Sequence, residues 1–383
     1  MDFLRELKNF FRKGDMVLLT LCLTTSAFGC LIIASTNNYR GFSRYVGMQI
    51  LAIALGVGAY MLMSSIDLEK LTEHRIFWLL GCVGLLMMLI PFGTDLGSGN
   101  KSWLDIPILP MYIQPAELCK IAYIWITASI MNTRQNRISS FRSVFHMVWA
   151  LAVLVGTNIA LSSDWGVSLI FVFIFVGMAF GGGVHWGWFA TAGAGIVAGA
   201  PFIWQYMPEH QKKRIMILFD PTLDPLGIDE RYHLVRSLKS LTGGGLTGQG
   251  LFNGNRTQAG VLPSQHTDFI FSAIGEELGY LGCVLVLLML FAVIARCIWV
   301  GCQSKDFMRR MVCFGAASAL IFQVCVNVGM CMGVMPVIGL TLPLISYGGS
   351  STVSIYLMLG LVSGVHARPA PKSHERYIRP PRE

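Results

Sequence analysis

Apolar runs long enough to cross a lipid bilayer recur from residue 16 almost to the end of the chain, and they limit the fold more than any other feature. A helix needs roughly 17 to 25 predominantly apolar residues to cross hydrocarbon. Ten such runs fall near 16–35, 46–64, 76–92, 113–131, 144–161, 166–183, 186–206, 269–295, 310–334 and 350–366. Backbone polar groups inside a bilayer must be paired within their own segment, so each run is read as a helix. Of the 383 residues only 13% are charged, whereas a soluble domain carries about 25%. The expected fold is an all-α polytopic integral membrane protein of about ten transmembrane helices, forming one membrane domain over 1–367. No small-residue cleavage site follows the first run, so it reads as a first transmembrane helix and not as a removed signal peptide.

An even number of spans puts both termini on one side, and charge selects the side. Short connections on the terminal side hold eighteen Lys and Arg, among them Arg12, Lys70, Arg134, Arg137, Arg142, Arg296 and Arg309; the opposite short loops hold three, Arg40, Arg44 and Lys101. Positively charged short loops stay in the cytoplasm. The termini are expected there, and one large loop of about 207–268, between spans 7 and 8, is expected outside. Within it Glu209 to Phe219 alternates basic and apolar residues like an interfacial helix, and Asp220 to Gly227 is turn chemistry. The polar, proline-containing tail 368–383 is expected to be cytoplasmic and disordered. The net charge of +8 is dispersed over span ends and forms no nucleic-acid patch. The ten cysteines are mostly scattered singly through apolar runs without a C-x-x-C pair, which makes them packing residues, and no dedicated metal cluster is visible.

Ionisable groups inside a bilayer are costly and mark function or a specific structural role. Glu117 and Lys120 stand three apart in Gln114 to Lys120, so a helix places them on one face. They serve there either as a structural ion pair or directly on a substrate phosphate. Asp268 lies where the external loop re-enters the membrane, in Leu262-Pro263-Ser264-Gln265-His266-Thr267-Asp268-Phe269-Ile270-Phe271. Partly desolvated by Phe269 and Phe271, it can act as a general base on a sugar hydroxyl. On motif chemistry alone, an N-cap by Thr267 or Asp268 on the following helix is preferred. Gly243 to Gly250 formally contains G-x-G-x-x-G, but no strand precedes it, so a dinucleotide site is rejected. Its N–H groups either face an anion such as a diphosphate or belong to a plain turn. Pro336 to Ser351, with Ser346, Gly348 and Ser350 near its end, is too rich in proline and glycine for a plain span and suggests irregular backbone beside a cavity. Trp103 and Asp164 lie at external helix boundaries, Trp103 in the manner of an interfacial anchor.

The order of Gln114 to Lys120, Asp164, Phe219-Asp220-Pro221, the glycine loop, His266 to Phe271, Gly275 to Gly279 and Pro343 to Ser351 resembles the SEDS family of shape, elongation, division and sporulation proteins, over nearly the whole chain. Asn327 to Met330, with Met335 to Gly339, is more similar to the elongation branch than to the division branch. The resemblance implies a peptidoglycan glycosyltransferase that polymerises lipid II into glycan strands, with inversion, at the outer face of the bacterial cytoplasmic membrane during elongation, shape maintenance or division. Its implied partners are lipid II and the lipid-linked strand, a class B penicillin-binding protein with transpeptidase activity, other proteins of the elongation or division complex, and no nucleic acid. It implies Asp268 as the catalytic residue, with Trp103, Glu117, Lys120, Asp164, His266, Thr267, Ser346, Gly348 and Ser350 in substrate binding. The chain departs from the family pattern at Trp165, usually leucine; at Ala116, usually serine; at Ser102, often arginine; and at Arg236, commonly glutamine.

In the implied reaction Asp268 takes the proton of an acceptor 4-hydroxyl, and a lipid diphosphate leaves. Its charge is met by Lys120, by Arg214 or Arg231 of the external loop, or by a divalent metal, Mg or Mn, that arrives with the diphosphate; no dedicated cofactor is expected. A transporter that flips lipid II is the main alternative. The lack of an inverted repeat and the gathering of polar motifs at the external surface favour the enzyme. A scaffold that only recruits partners is a third reading.

Overall fold

The first seven apolar runs all become helices: α1 (Met16–Thr36), α2 (Ser43–Ser65), α3 (Arg75–Phe92), α4 (Pro115–Thr133), α5 (Phe141–Ser162), α6 (Trp165–Gly181) and α7 (Trp186–Tyr206). Three short helices follow in the large loop, α8 (Glu209–Phe219), α9 (Tyr232–Gly243) and α10 (Asn255–Gln258), before the last three spans, α11 (Ile270–Gln303), α12 (Phe307–Cys331) and α13 (Gly349–Ala367). This computed structural model describes residues 13–37, 43–69, 74–95, 101–105, 111–207, 209–220, 222, 224 and 231–368. The tail beyond Arg368 and most of the turn Asp220 to Gly227 lie outside the described residues. Among the described residues, seven helices are long and apolar enough to cross a membrane by length and composition; α6 is apolar but has 17 residues, α4 carries Glu117 and Lys120, and α7 contains Pro201. A two-residue antiparallel ladder joins β1 (Gly93–Thr94) to β2 (Trp103–Leu104) between α3 and α4.

The spans pack around α4, α12 and α13, most of whose residues are buried. Without a hydrophobic drive between helices in lipid, close approach and polar contacts hold them. Glycine permits close contact between α2 and α13: a Cβ at Gly360 would stand 2.7 Å from the Tyr60 carbonyl oxygen, and one at Gly56 would stand 2.8 Å from the Tyr356 ring. At the terminal end of the bundle the fully buried Asp15 joins four spans. It caps α1 through the Leu18 N–H, pairs with Arg296 of α11 at 2.9 Å, donates its own N–H to Ser363 of α13 and accepts from Tyr60 of α2 through its carbonyl.

The span expected at 269–295 is longer, 34 residues, and is broken at Gly279, where φ is 66° and ψ is −163°. A break frees backbone groups that must find other partners. The glycine loop supplies them: Gln249 and Gly250 donate to the carbonyls of Glu276 and Glu277, while Tyr280 and Leu281 donate to those of Gly245 and Leu246. The N–H groups of Gly248, Gln249 and Gly250 are thus used within the protein, which favours the plain-turn reading for that part of the loop. The carboxylates of Glu276 and Glu277 fix α10 itself and the end of α1. Glu276 accepts from the Arg256 and Thr257 N–H groups and the Thr257 hydroxyl, and Glu277 accepts from Ser35 and Gln258. Helix α9, which the sequence reading does not anticipate, lies against α11 and bonds it through Ser237 to Ser272 at 2.6 Å.

A Cβ at Gly244 would overlap the Gly275 carbonyl oxygen, a backbone atom that cannot step aside. Gly244→Ala is therefore expected to destabilise the protein by about 2 kcal/mol or more. Gly193→Ala, at a helical site with nothing within 4 Å, is expected to be neutral or stabilising by up to ~1 kcal/mol. Thermal melting of the purified protein in detergent checks both.

Candidate functional site

Asp268 sits one residue before the cap of α11, on backbone bound from two sides. The cap is Phe269, and no side chain bonds the first turn of the helix. This corrects the expectation that Thr267 or Asp268 caps it: Thr267 instead donates weakly to the Ser264 carbonyl, at 3.3 Å. On one side, Asn327 of α12 donates to both the Asp268 and the Leu340 carbonyls, at 2.8 and 2.7 Å. On the other, the Ser346 hydroxyl donates to the Thr267 carbonyl at 2.6 Å, and the Tyr347 N–H donates to the His266 carbonyl at 2.8 Å. The broken segment Pro336 to Ser351 thus holds the Asp268 backbone while leaving its carboxylate free. Among the described residues that carboxylate accepts no hydrogen bond. Its Oδ2 lies 3.8 Å from where a Gly339 Cβ would be, and Gly339 has a φ of 70°. Burial beside the enclosed Phe269 and Phe271 pushes its pKa up to about 6.

The sequence-predicted residues fall into three groups around this segment. His266, Thr267, Ser346 and Gly348 stand with Asp268. The His266 ring meets Tyr45 at 5.1 Å and Tyr347 at 5.6 Å, and Gln49 of α2 accepts from the Gly348 N–H at 3.2 Å and donates to Thr352 at 3.1 Å. Asp164 lies across the same loop, since a Cβ on its neighbour Gly166 would meet the Ile338 carbonyl at 2.9 Å. It caps α6 through the Val167 N–H at 3.0 Å and accepts from Gln114 at 2.9 Å. Burial pushes its pKa up, the Glu117 charge adds to this, and the Val167, Gly166 and Gln114 donors oppose it.

Glu117 and Lys120 form the third group, in the first turns of α4. Their ion pair is 2.6 Å long and both are nearly inaccessible, at 3% and 0%. Ser354 of α13 donates to the same Glu117 oxygen at 2.6 Å and to the Ser351 carbonyl at 3.0 Å. The pair therefore ties α4 to the segment that ends the broken loop. The Ser350 hydroxyl is buried without a partner among the described residues. Trp103 is half-buried in β2, opposite Thr94. Sequence reasoning did not single out Asn327, Gly339, Gln49, Tyr45 or Ser354 as site residues; only the polar character of Asn327 and Gln49 inside apolar runs could have flagged them. Arg214 of α8 donates to the Val337 carbonyl at 3.2 Å, which places a cation by the loop beside Asp268. Among the described residues no group of three or more His, Cys, Asp or Glu is arranged to hold a metal ion.

A family model described as a cell cycle protein, of FtsW, RodA and SpoVE, matches residues 15–370. The peptidoglycan glycosyltransferase MrdB of Escherichia coli is 30% identical over 364 residues, covering 94% of this chain and 95% of that protein. A probable peptidoglycan glycosyltransferase FtsW of Tolumonas auensis is 33% identical over 374 residues, covering 94% and 93%. Among solved structures, a chain of a peptidoglycan synthase complex, studied for the coordination of polymerization and crosslinking, superposes with a TM-score of 0.78 at 27% identity, covering 94% of this chain and 99% of that one. The rod shape determining protein RodA of Thermus thermophilus superposes with a TM-score of 0.68 at 25% identity, covering 92% and 96%.

Removing one partner of a buried ion pair leaves an uncompensated charge and costs about 3–5 kcal/mol, more than replacing both. Lys120→Met is accordingly expected to lower the melting temperature further than the double variant Glu117→Gln/Lys120→Met. Equal losses in the two would show that the pair is not what Glu117 depends on.

Proposed function

The chain belongs to the SEDS family, the cell cycle proteins FtsW, RodA and SpoVE, and is a peptidoglycan glycosyltransferase of cell shape or division; from that premise we propose that Asp268 is the general base with which it polymerises lipid II. The observation that carries the assignment is a carboxylate freed from capping, without a hydrogen-bond partner among the described residues, on backbone that Asn327 and Ser346 hold still. Such a group is positioned by its main chain and available through its side chain, which is what proton abstraction in a fixed geometry needs.

In the proposed step the acceptor sugar's 4-hydroxyl loses its proton to Asp268 as its oxygen bonds to the anomeric carbon of the lipid-linked strand. The bond from that carbon to the lipid diphosphate breaks, the diphosphate leaves with the electron pair, and the configuration inverts. With a pKa of about 6, Asp268 is ionised at neutral pH yet basic enough to take the proton as the new bond forms. Arg214, beside Val337, meets the charge of the leaving diphosphate, and a divalent cation entering with the diphosphate belongs to the same reading. Glu117, Lys120 and Asp164 act through the loop they brace, and His266, Tyr45 and Tyr347 offer the ring faces on which a sugar packs. The partner proposed for this chain is a class B penicillin-binding protein that cross-links the strands, within an elongation complex.

The proposed orientation places Asp268 at the outer face of the cytoplasmic membrane and the Asp15–Arg296 end inside. Cys302, exposed at the end of α11, is then expected to react with a membrane-impermeant maleimide only after cells are opened. Labelling of intact spheroplasts would reverse the orientation.

Wild type and Asp268→Asn, each with the penicillin-binding partner, are to be compared on purified lipid II. Polymer is expected from wild type alone, with its rate falling as pH drops through about 6, because the base must be ionised. Stability moves oppositely. The folded protein retains a proton between the ordinary carboxylate range and pH about 6 that the unfolded chain releases, so wild type loses stability as pH rises through that window. Asp268→Asn is thus expected to be inactive yet more stable than wild type at neutral pH, by roughly 2–3 kcal/mol at most. No polymer from either protein, with wild type carrying lipid II across vesicle membranes, would replace the transferase by a transporter.

A further inference from the structure

At the end of the bundle remote from Asp268, the link between α4 and α5 borders an open cavity of about 590 Å³ whose lining includes Asn132, Thr133, Arg134, Arg137, Ser140 and Arg142. Every charged side chain in that lining is an arginine. Among the described residues none of these three guanidinium groups has a hydrogen-bond or ion-pair partner, and a fourth, Arg75 of α3, reaches the rim by donating to Thr133 at 3.2 Å. Three other arginines of the same end are engaged, Arg296 with Asp15, Arg309 with Glu69, and Arg368 with the Ile66 and Ser65 carbonyls, while Arg310 lies over the Phe307 ring at 5.3 Å. Topology asks for positive charge on this side but not for three guanidinium groups gathered round one acid-free cavity.

A second feature adjoins it. Phe141, Phe145 and Trp149 stand at successive turns on one face of α5, at 72%, 53% and 59% exposure, with the Phe141 and Phe145 rings stacked 6.2 Å apart. The row starts beside Arg142 and runs along the span, where its outward surroundings are lipid.

We infer that this cavity and row form a binding site for one anionic glycerophospholipid, its phosphate among Arg134, Arg137 and Arg142 and its acyl chain along Phe141, Phe145 and Trp149. Guanidinium forks match phosphate oxygens in pairs, and the serine and asparagine donors of the lining complete the set. A soluble phosphate would use the arginines and leave the aromatic row without a role, so the lipid is the occupant that accounts for both.

The test is native mass spectrometry of the full-length protein released from micelles holding equimolar phosphatidylglycerol and phosphatidylcholine. Wild type is expected to retain phosphatidylglycerol at least about fivefold over phosphatidylcholine, and Arg134→Gln/Arg137→Gln/Arg142→Gln to lose that preference. The corresponding triple lysine variant keeps the charge and the topological signal, and is expected to keep a reduced preference, which covers the case in which the glutamine variant does not fold. Phe145→Ala/Trp149→Ala is expected to shorten retention of the bound lipid. Equal retention of the two lipids by wild type, or a preference untouched by the glutamines, overturns the inference. Displacement by inorganic phosphate at about 10 mM would mark a free-anion site, and displacement by a polyglutamate peptide would mark a protein-docking site; either also overturns it. Lipid retention is read without glycan synthesis, so its outcome is separate from that of the transferase assignment.

Discussion

At Gly279 the ladder of a 34-residue helix is interrupted, and the carbonyls of Glu276 and Glu277 turn to the N–H groups of Gln249 and Gly250. Hydrocarbon offers no water to satisfy a break, so the break must sit where the protein's own loop can close it. This exchange fixes the structure at the Asp268 end of the bundle. It anchors the glycine loop, and through the Glu276 and Glu277 carboxylates it also fixes α10 and the end of α1. The turn of helix that precedes the break carries Phe269 and hence the Asp268 backbone.

The second broken segment, Pro336 to Ser351, completes the frame from the other side. It spans the distance between two acidic positions, with Gly339 under Asp268 and Ile338 over Gly166, next to Asp164. Ser346 and Asn327 spend their hydrogen bonds on main-chain carbonyls, so the loop shapes the site through backbone while side chains remain available for substrate. Beneath it the Glu117–Lys120 pair and Ser354 join α4 to α13, which makes an expensive buried charge pair a brace for the loop's exit.

A helix stands at each of the ten places drawn, because bilayer thickness sets a length that composition alone reveals, though seven of them among the described residues are long and apolar enough to cross a membrane; even α4, with two charges, was drawn at the right place. Helix α8 was also readable from its alternation. Helix α9 was not, since Tyr232 to Gly243 is short and is held on α11 by the Ser237 bond to Ser272 and by Leu241 against Gly275, contacts that lie far away in sequence. Asp268 stood out by its position at a membrane boundary, yet local rules favoured a cap there; only the three-dimensional path, which places Phe269 at the cap, removes that role. The reverse happened at Asp164, whose capping of α6 is local and whose bond to Gln114 is not. Tertiary pairs such as Ser35 with Glu277, 242 residues apart, leave no mark in a sequence read by windows.

Asp15 draws a different consequence from the same bundle. Its carboxylate waits for Arg296, 281 residues later, and its N–H for Ser363, 348 residues later. At a synthesis rate of about 5–20 residues per second, the first of these partners emerges roughly 15–55 s after Asp15. During that interval α1 is without the Arg296 counter-charge that its acid later gains, and the bundle is incomplete at this end. Closure thus belongs to the last stage of biogenesis, and a chain cut short before α13 holds its first helix without the contacts that secure it.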